Sequence, residues 1–98
     1  MPKTYHVSSK VVVYQGPSAW RFLGLPKDIA TEIRELYGKR SRAWGSIPVT
    51  VTLGTTTWDT SLFPDKRSGT YLLPLKAEVR RKEDVTDGAT VAFTIRLD

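Results

Sequence analysis

Cysteine is absent from all 98 residues. Disulfides, thiol nucleophiles and cysteine-built zinc sites are therefore excluded. Histidine is almost as scarce: His6 stands alone, so a metal centre or a histidine triad has no second group to build on. It falls on the polar side of a terminal extended run, where a solvated imidazole is expected. Long apolar runs are missing, and the opening MPKTYHVSSK has no apolar signal core. Both argue against secretion and membrane insertion and for a cytoplasmic protein. The glycine-rich spacings that cradle nucleotide phosphates do not occur. Asp59, Asp65, Asp84 and Asp87 lack the i, i+2, i+4 clustering of a calcium loop. Asp65 and Asp87 read instead as turn residues whose carboxylates bond the local backbone. No cofactor and no metal is implied.

What is present fits one domain spanning 1–98. A chain of this length buries roughly 65% of its unfolded surface, enough for one core without staples. The net charge is +5 and the pI about 9.7. Residues 1–50 hold eight Lys/Arg against three acids, whereas residues 51–98 hold seven of each. The excess thus belongs to the first half and is densest at Lys39, Arg40 and Arg42. Either it is a solvated basic face or it is a patch for an anionic partner.

Hydrophobic periodicity predicts a mainly β chain. Residues 5–14 read as a strand with Tyr5, Val7, Val11 and Val13 on one face. Gln15 to Ser18 form a turn by composition, and Ala19 to Leu23 make a second strand that pairs antiparallel with the first. Pro26 opens a helix, since its missing N–H costs nothing in the first turn, and Asp28 suits the positive end of the dipole. Ile29, Ile33, Leu36 and Tyr37 form one apolar stripe, and Gly38 is the stop. Its stripe is expected to plug the open end of a sheet or barrel.

KRSRAWG, residues 39–45, then reads as a basic loop. Ile47, Val49, Val51 and Leu53 alternate with Pro48, Thr50 and Thr52, Gly54-Thr55 turns the chain, and Trp58, Thr60 and Leu62 share a face on the return. PDKRSG is a loop, Thr70 to Leu73 a strand, and Leu75 to Arg81 a short helix with Leu75 and Val79 inward. Asp87-Gly88 turns into a last strand, Thr90 to Leu97, where Val91, Phe93, Ile95 and Leu97 alternate strictly. About six strands with one amphipathic and one short helix predict a small antiparallel β-barrel, closed or partly open. LPKDIATEIRE and LPLKAEVRR echo one another, as two related halves of a pseudo-symmetric barrel would.

Trp44-Gly45-Ser46, Pro48-Val49, then WDTSLFP, SGTYLLPLKAEVR and DGATV, with the LPKDIATEIRELYG helix, resemble a bacterial domain-of-unknown-function family, number nineteen-oh-five. It occurs alone or joined to YdeI/OmpD-associated segments. The resemblance covers nearly the whole chain and implies a compact barrel crossed by a helix, with no activity attached. Ala89 stands where the family pattern favours an acid. The Pro-led helix is also similar to those of the swapped-hairpin barrels of AbrB-like DNA-binding domains, an analogy of fold only.

Three functions follow as expectations. The first is a non-enzymatic binding module for an anionic ligand such as nucleic acid. Trp44 would be its stacking platform, Arg40 and Arg42 its backbone clamps, and Lys76 and Arg80 would line the groove, with Lys66 and Arg67 extending it. Packing against the helix end or stacking under an Arg is the other account of Trp44, while Trp20 and Trp58 read as core or barrel-mouth residues. The second is a protein–protein interaction domain, which predicts an exposed apolar patch. The third is an enzyme in which a desolvated Lys76 activates Ser61 or Thr60.

Overall fold

The computed structural model describes residues 2–14 and 20–97, so the expected Gln15–Ser18 turn lies outside the described residues. Six antiparallel strands close into a barrel in the order β1-β2-β5-β4-β3-β6. They are β1 (Lys3–Tyr14), β2 (Trp20–Gly24), β3 (Ile47–Leu53), β4 (Thr56–Asp65), β5 (Thr70–Pro74) and β6 (Thr90–Leu97). Two helices are inserted, α1 (Lys27–Tyr37) and α2 (Ala77–Lys82). No helix among the described residues is long and apolar enough to cross a membrane.

Alternation builds the core directly. Ile47, Val49, Val51 and Leu53 of β3 are all buried, as are Phe93, Ile95 and Leu97 of β6 and Tyr5, Val7 and Val11 of β1. A side-chain period of two sends every second residue inward, and Leu23, Leu62 and Leu73 of the other strands complete the lining. Gly54, at φ +61, supplies the left-handed first position of the two-residue turn between β3 and β4.

The helix differs from its sequence reading in one residue. Ala30, Ile33 and Tyr37 are buried, Ile29 packs against the core, and Leu36 is exposed. At 100° per residue, Ala30 and Tyr37 lie on one side of Ile33 and Leu36 on the other. Contact with the core follows the Ala30 side, leaving Leu36 on the flank. Gly38 ends α1 as expected, but in right-handed backbone (φ −58). The chain therefore tightens into a 3₁₀ turn, Gly38–Arg40, rather than reversing through a left-handed cap.

The barrel has two related halves, β1-β2-α1-β3 and β4-β5-α2-β6. Exchanging the halves returns the same circular strand order. The axis passes where Leu23 pairs with Leu73. On either side the Leu25 amide donates to the Tyr71 carbonyl at 3.0 Å, and the Leu75 amide donates to that of Arg21 at 2.9 Å. Each helix starts two residues after its leucine, so Leu25 matches Leu75. The sequence echo is real but shifted: the two Leu-Pro pairs are not equivalent, because Pro74 ends β5 while Pro26 precedes α1.

The helices accordingly close opposite mouths. α1 is tied to one by the Lys3–Glu32 ion pair (3.1 Å) and by Arg34 over the Tyr71 ring. At the other, Glu83, just past α2, accepts from the hydroxyls of Thr55 (3.3 Å) and Thr56 (2.6 Å) at the β3–β4 turn.

A candidate anion site between helix and barrel

The link from α1 to β3, residues 38–46, gathers Lys39, Arg40 and Arg42 with no acid among them. After the first 3₁₀ turn comes a second, Ala43–Gly45, within a tight knot of backbone bonds. Arg42 N donates to Ser46 O at 2.7 Å, Gly45 N to Arg42 O at 2.9 Å, and the Ser46 hydroxyl to Ala43 O at 3.0 Å. The knot holds Trp44 in left-handed backbone (φ 66) with its side chain 91% exposed. An L-residue in that conformation costs about 1–2 kcal/mol. Exposing an indole forgoes burial that would otherwise stabilise the fold. The packed account of Trp44 therefore fails, because the loop turns it to water.

Beneath this loop lies a cleft of about 520 Å³. Arg40 and Arg42 line it from the loop, Arg96 from β6, and Thr50 and Thr60 from β3 and β4. The Arg40 guanidinium rests over the Tyr37 ring at 5.1 Å, a contact that fixes the long side chain before any ligand arrives. Asp59 is the one carboxylate among the lining residues, and it accepts a 2.8 Å hydrogen bond from Thr50. Guanidiniums with hydroxyls between them suit an oxyanion, because each offers fixed N–H pairs that match phosphate or carboxylate oxygens.

The other sequence candidates lie elsewhere. Lys76 and Arg80 line a smaller socket, of about 220 Å³, with Trp20, Pro74 and Leu75. It shares no residue with the arginine cleft, so the five candidates do not form one groove. Lys66 and Arg67 sit on the exposed β4–β5 turn and line neither depression. Trp58 is half-buried against the core, but Trp20 is 60% exposed on the outer face. Alternation with apolar neighbours suggests the core or the barrel mouth; Trp20 is not in the core but starts β2 and lines the socket beside α2. Its own strand puts Leu23 inward and Phe22 outward, which sends Trp20 outward too.

His6 is exposed, as expected. Asp65 behaves as the turn reading requires: it accepts from the Ser68 hydroxyl at 2.7 Å and the Ser68 amide at 3.3 Å. Those bonds, the Ser68 hydroxyl first, hold its carboxyl below the ordinary range. Asp87 does not: it receives Nε and Nη2 of Arg21, both at 3.0 Å, in place of local backbone. Lys76 is exposed, and among the described residues no hydrogen bond joins it to Ser61. The desolvation that a Ser/Lys pair relies on is missing.

Arg96 was overlooked in the sequence because it is one outward position in a strictly alternating strand. The signal available was its place: a lone cation among threonines, next to the end of the strand that pairs with β3 at Thr50.

Residues 8–95 match the family described as Domain of unknown function (DUF1905), and the chain belongs to that family. No curated protein matches it.

Proposed function

We propose that this DUF1905 domain is a non-enzymatic binding module that holds an anionic ligand in the arginine cleft, with single-stranded nucleic acid as the fitting class. One observation carries the reading: Arg40, Arg42 and Arg96 line a single cleft, with Trp44 held out in water two residues beyond Arg42. A phosphate sits between the Arg40 and Arg42 guanidiniums, and the Thr60 hydroxyl donates to a further oxygen. The adjoining base stacks on Trp44, which tolerates any base because each has a π-face. The exposed Lys76 disfavours a Ser/Lys reaction, so binding without chemistry is the better-supported reading. The same reading puts the domain in the bacterial cytoplasm, alone or beside YdeI/OmpD-associated segments, as the resemblance of its motifs implies.

The test is a fluorescence titration with a short oligothymidylate at low salt. Wild type quenches Trp44 and binds, with affinity falling steeply as salt rises because phosphate counterions are released. The Arg40→Ala/Arg42→Ala double variant binds at least tenfold more weakly. Absence of any wild-type signal at low salt, with oligothymidylate, mixed-sequence RNA and duplex DNA alike, sinks the reading.

A further inference from the structure

Where the end of β1 pairs with β2, and β2 with the end of β5, the outer surface is apolar where a solvated barrel wall carries polar groups. Val12 pairs with Phe22, Tyr14 with Trp20, and Phe22 with Pro74, so these side chains form one outward ribbon. Trp20 stacks along Phe22 with centroids 6.4 Å apart, and Tyr14 meets Phe22 edge-on at 5.0 Å. Trp20 is 60% and Val12 43% exposed. A contiguous apolar surface of this kind marks a place where something else packs.

The ribbon runs into the 220 Å³ socket, whose walls are Trp20, Pro74, Leu75 and Ala77 and whose charges are Arg21, Lys76 and Arg80, the first of them paired with Asp87. The charges there identify the occupant. The two nearby acids are already engaged, Asp87 with Arg21 and Glu78 with Lys82 at 3.3 Å. Among the described residues the buried Arg80 Nε–H has no hydrogen-bond partner. A buried donor left unpaired costs about 1–3 kcal/mol, which an incoming acceptor recovers. Arg81 and Lys82 extend the positive field along α2. A second copy of this chain would set Lys76 and Arg80 against like charges, and a basic segment would be repelled. Nucleic acid gains little from an aliphatic and aromatic ribbon that carries no cations along its length.

We propose that this face docks an acidic segment of a partner protein that also carries apolar side chains. One apolar side chain enters the socket against Trp20 and Leu75, a carboxylate accepts from Arg80 and Lys76, and neighbouring apolar groups lie along Phe22 and Val12. The surface is separate from the arginine cleft and does not depend on its ligand.

The experiment is an NMR titration of the ¹⁵N-labelled domain with three synthetic peptides of equal length. One alternates Glu or Asp with Leu or Phe, the second has Lys in place of each acid, and the third has Ser in place of each apolar residue. Only the first is expected to shift the Trp20 indole N–H and the amides of 75–80. Lys76→Glu/Arg80→Ala is expected to weaken it at least fivefold and Trp20→Ser to abolish it, with oligothymidylate binding unchanged. Both sites are on the surface, and unaltered circular dichroism checks that the variants fold. Three results overturn the proposal. One is equal shifts from the lysine or serine peptide; another is no shift at Trp20 with millimolar acidic peptide. The third is a concentration-dependent dimer that Trp20→Ser abolishes, which would make the face a self-association surface.

Discussion

The two links that follow the two helices occupy equivalent places in a pseudo-symmetric barrel and do opposite things. Residues 38–46 are basic, carry no acid, and hold an indole out in water. Residues 83–89 are acidic, and two of their three carboxylates are used inside the fold. Glu83 is bonded to the β3–β4 turn and Asp87 to Arg21. Here the same connection is made twice, once to tie the barrel together and once to present groups outward. Charge that bonds back to the fold stabilises it; charge turned toward the cleft does so only through such contacts as that of Arg40 with the Tyr37 ring. Polar side chains on matching loops can thus have different roles, and what separates them is whether their partners lie within the chain.

The contrast can be broken by substitutions on each side. The largest effect is expected at Gly54, where an added methyl would overlap the Glu83 carboxylate and sit at φ +61. Gly54→Ala should cost about 1–3 kcal/mol, read as a lowered midpoint in urea. Next, the Arg40→Ala/Arg42→Ala double variant should lose at least about 1.4 kcal/mol of oligothymidylate affinity, a factor of ten. Its urea midpoint should stay at the wild-type value. Glu83→Ala should do the reverse, losing about 1 kcal/mol of stability for its hydroxyl bonds and leaving affinity untouched. A fall in affinity with Glu83→Ala would dissolve the distinction between the links.

Trp44→Gly sharpens it further. Glycine adopts the left-handed backbone without a Cβ penalty, so stability should hold or rise by up to about 1 kcal/mol while fluorescence quenching by ligand disappears. The proposed stacking role requires that the indole be dispensable for folding, and loss of folding in this variant would refute that. The smallest effect concerns acid. Bonds from Arg21, first, hold the Asp87 carboxyl below its ordinary range. A carboxylate depressed in the fold adds stability above its unfolded pKa and loses it as pH falls through the folded value. Thermal midpoints should therefore drop as pH falls from about 5 to 3, and Asp87→Asn should flatten that slope.

Most of the barrel was legible because alternation at period two writes strand faces into the sequence. Val49, Val51, Phe93 and Ile95 needed no tertiary information. Leu36 was misread, and Trp20 was left between core and barrel mouth, for a shared reason: periodicity gives a face, and only the packed partner decides which edge of that face is covered. Trp44 was legible as an anomaly, an indole among arginines, but not its exposure, which depends on the hydrogen-bonded knot around it. The separation of Arg40 and Arg42 from Lys76 and Arg80 was invisible in the sequence. Arg40 and Arg42 follow α1, whereas Lys76 precedes α2 and Arg80 lies within it, and which mouth each helix closes is set by strand order rather than by any local pattern. Asp87 was assigned to local backbone because its guanidinium partner lies sixty-six positions away.

The pairing of β1 with β6 joins Lys3 to Leu97. On a ribosome, the first strand made must wait for the last before one of its edges is matched. Until then the Lys3–Lys10 edge can recruit any neighbouring nascent strand, a hazard that grows with the time taken to translate the stretch between them. Slowing elongation late in the message should therefore lower the soluble yield of this domain more than slowing it early.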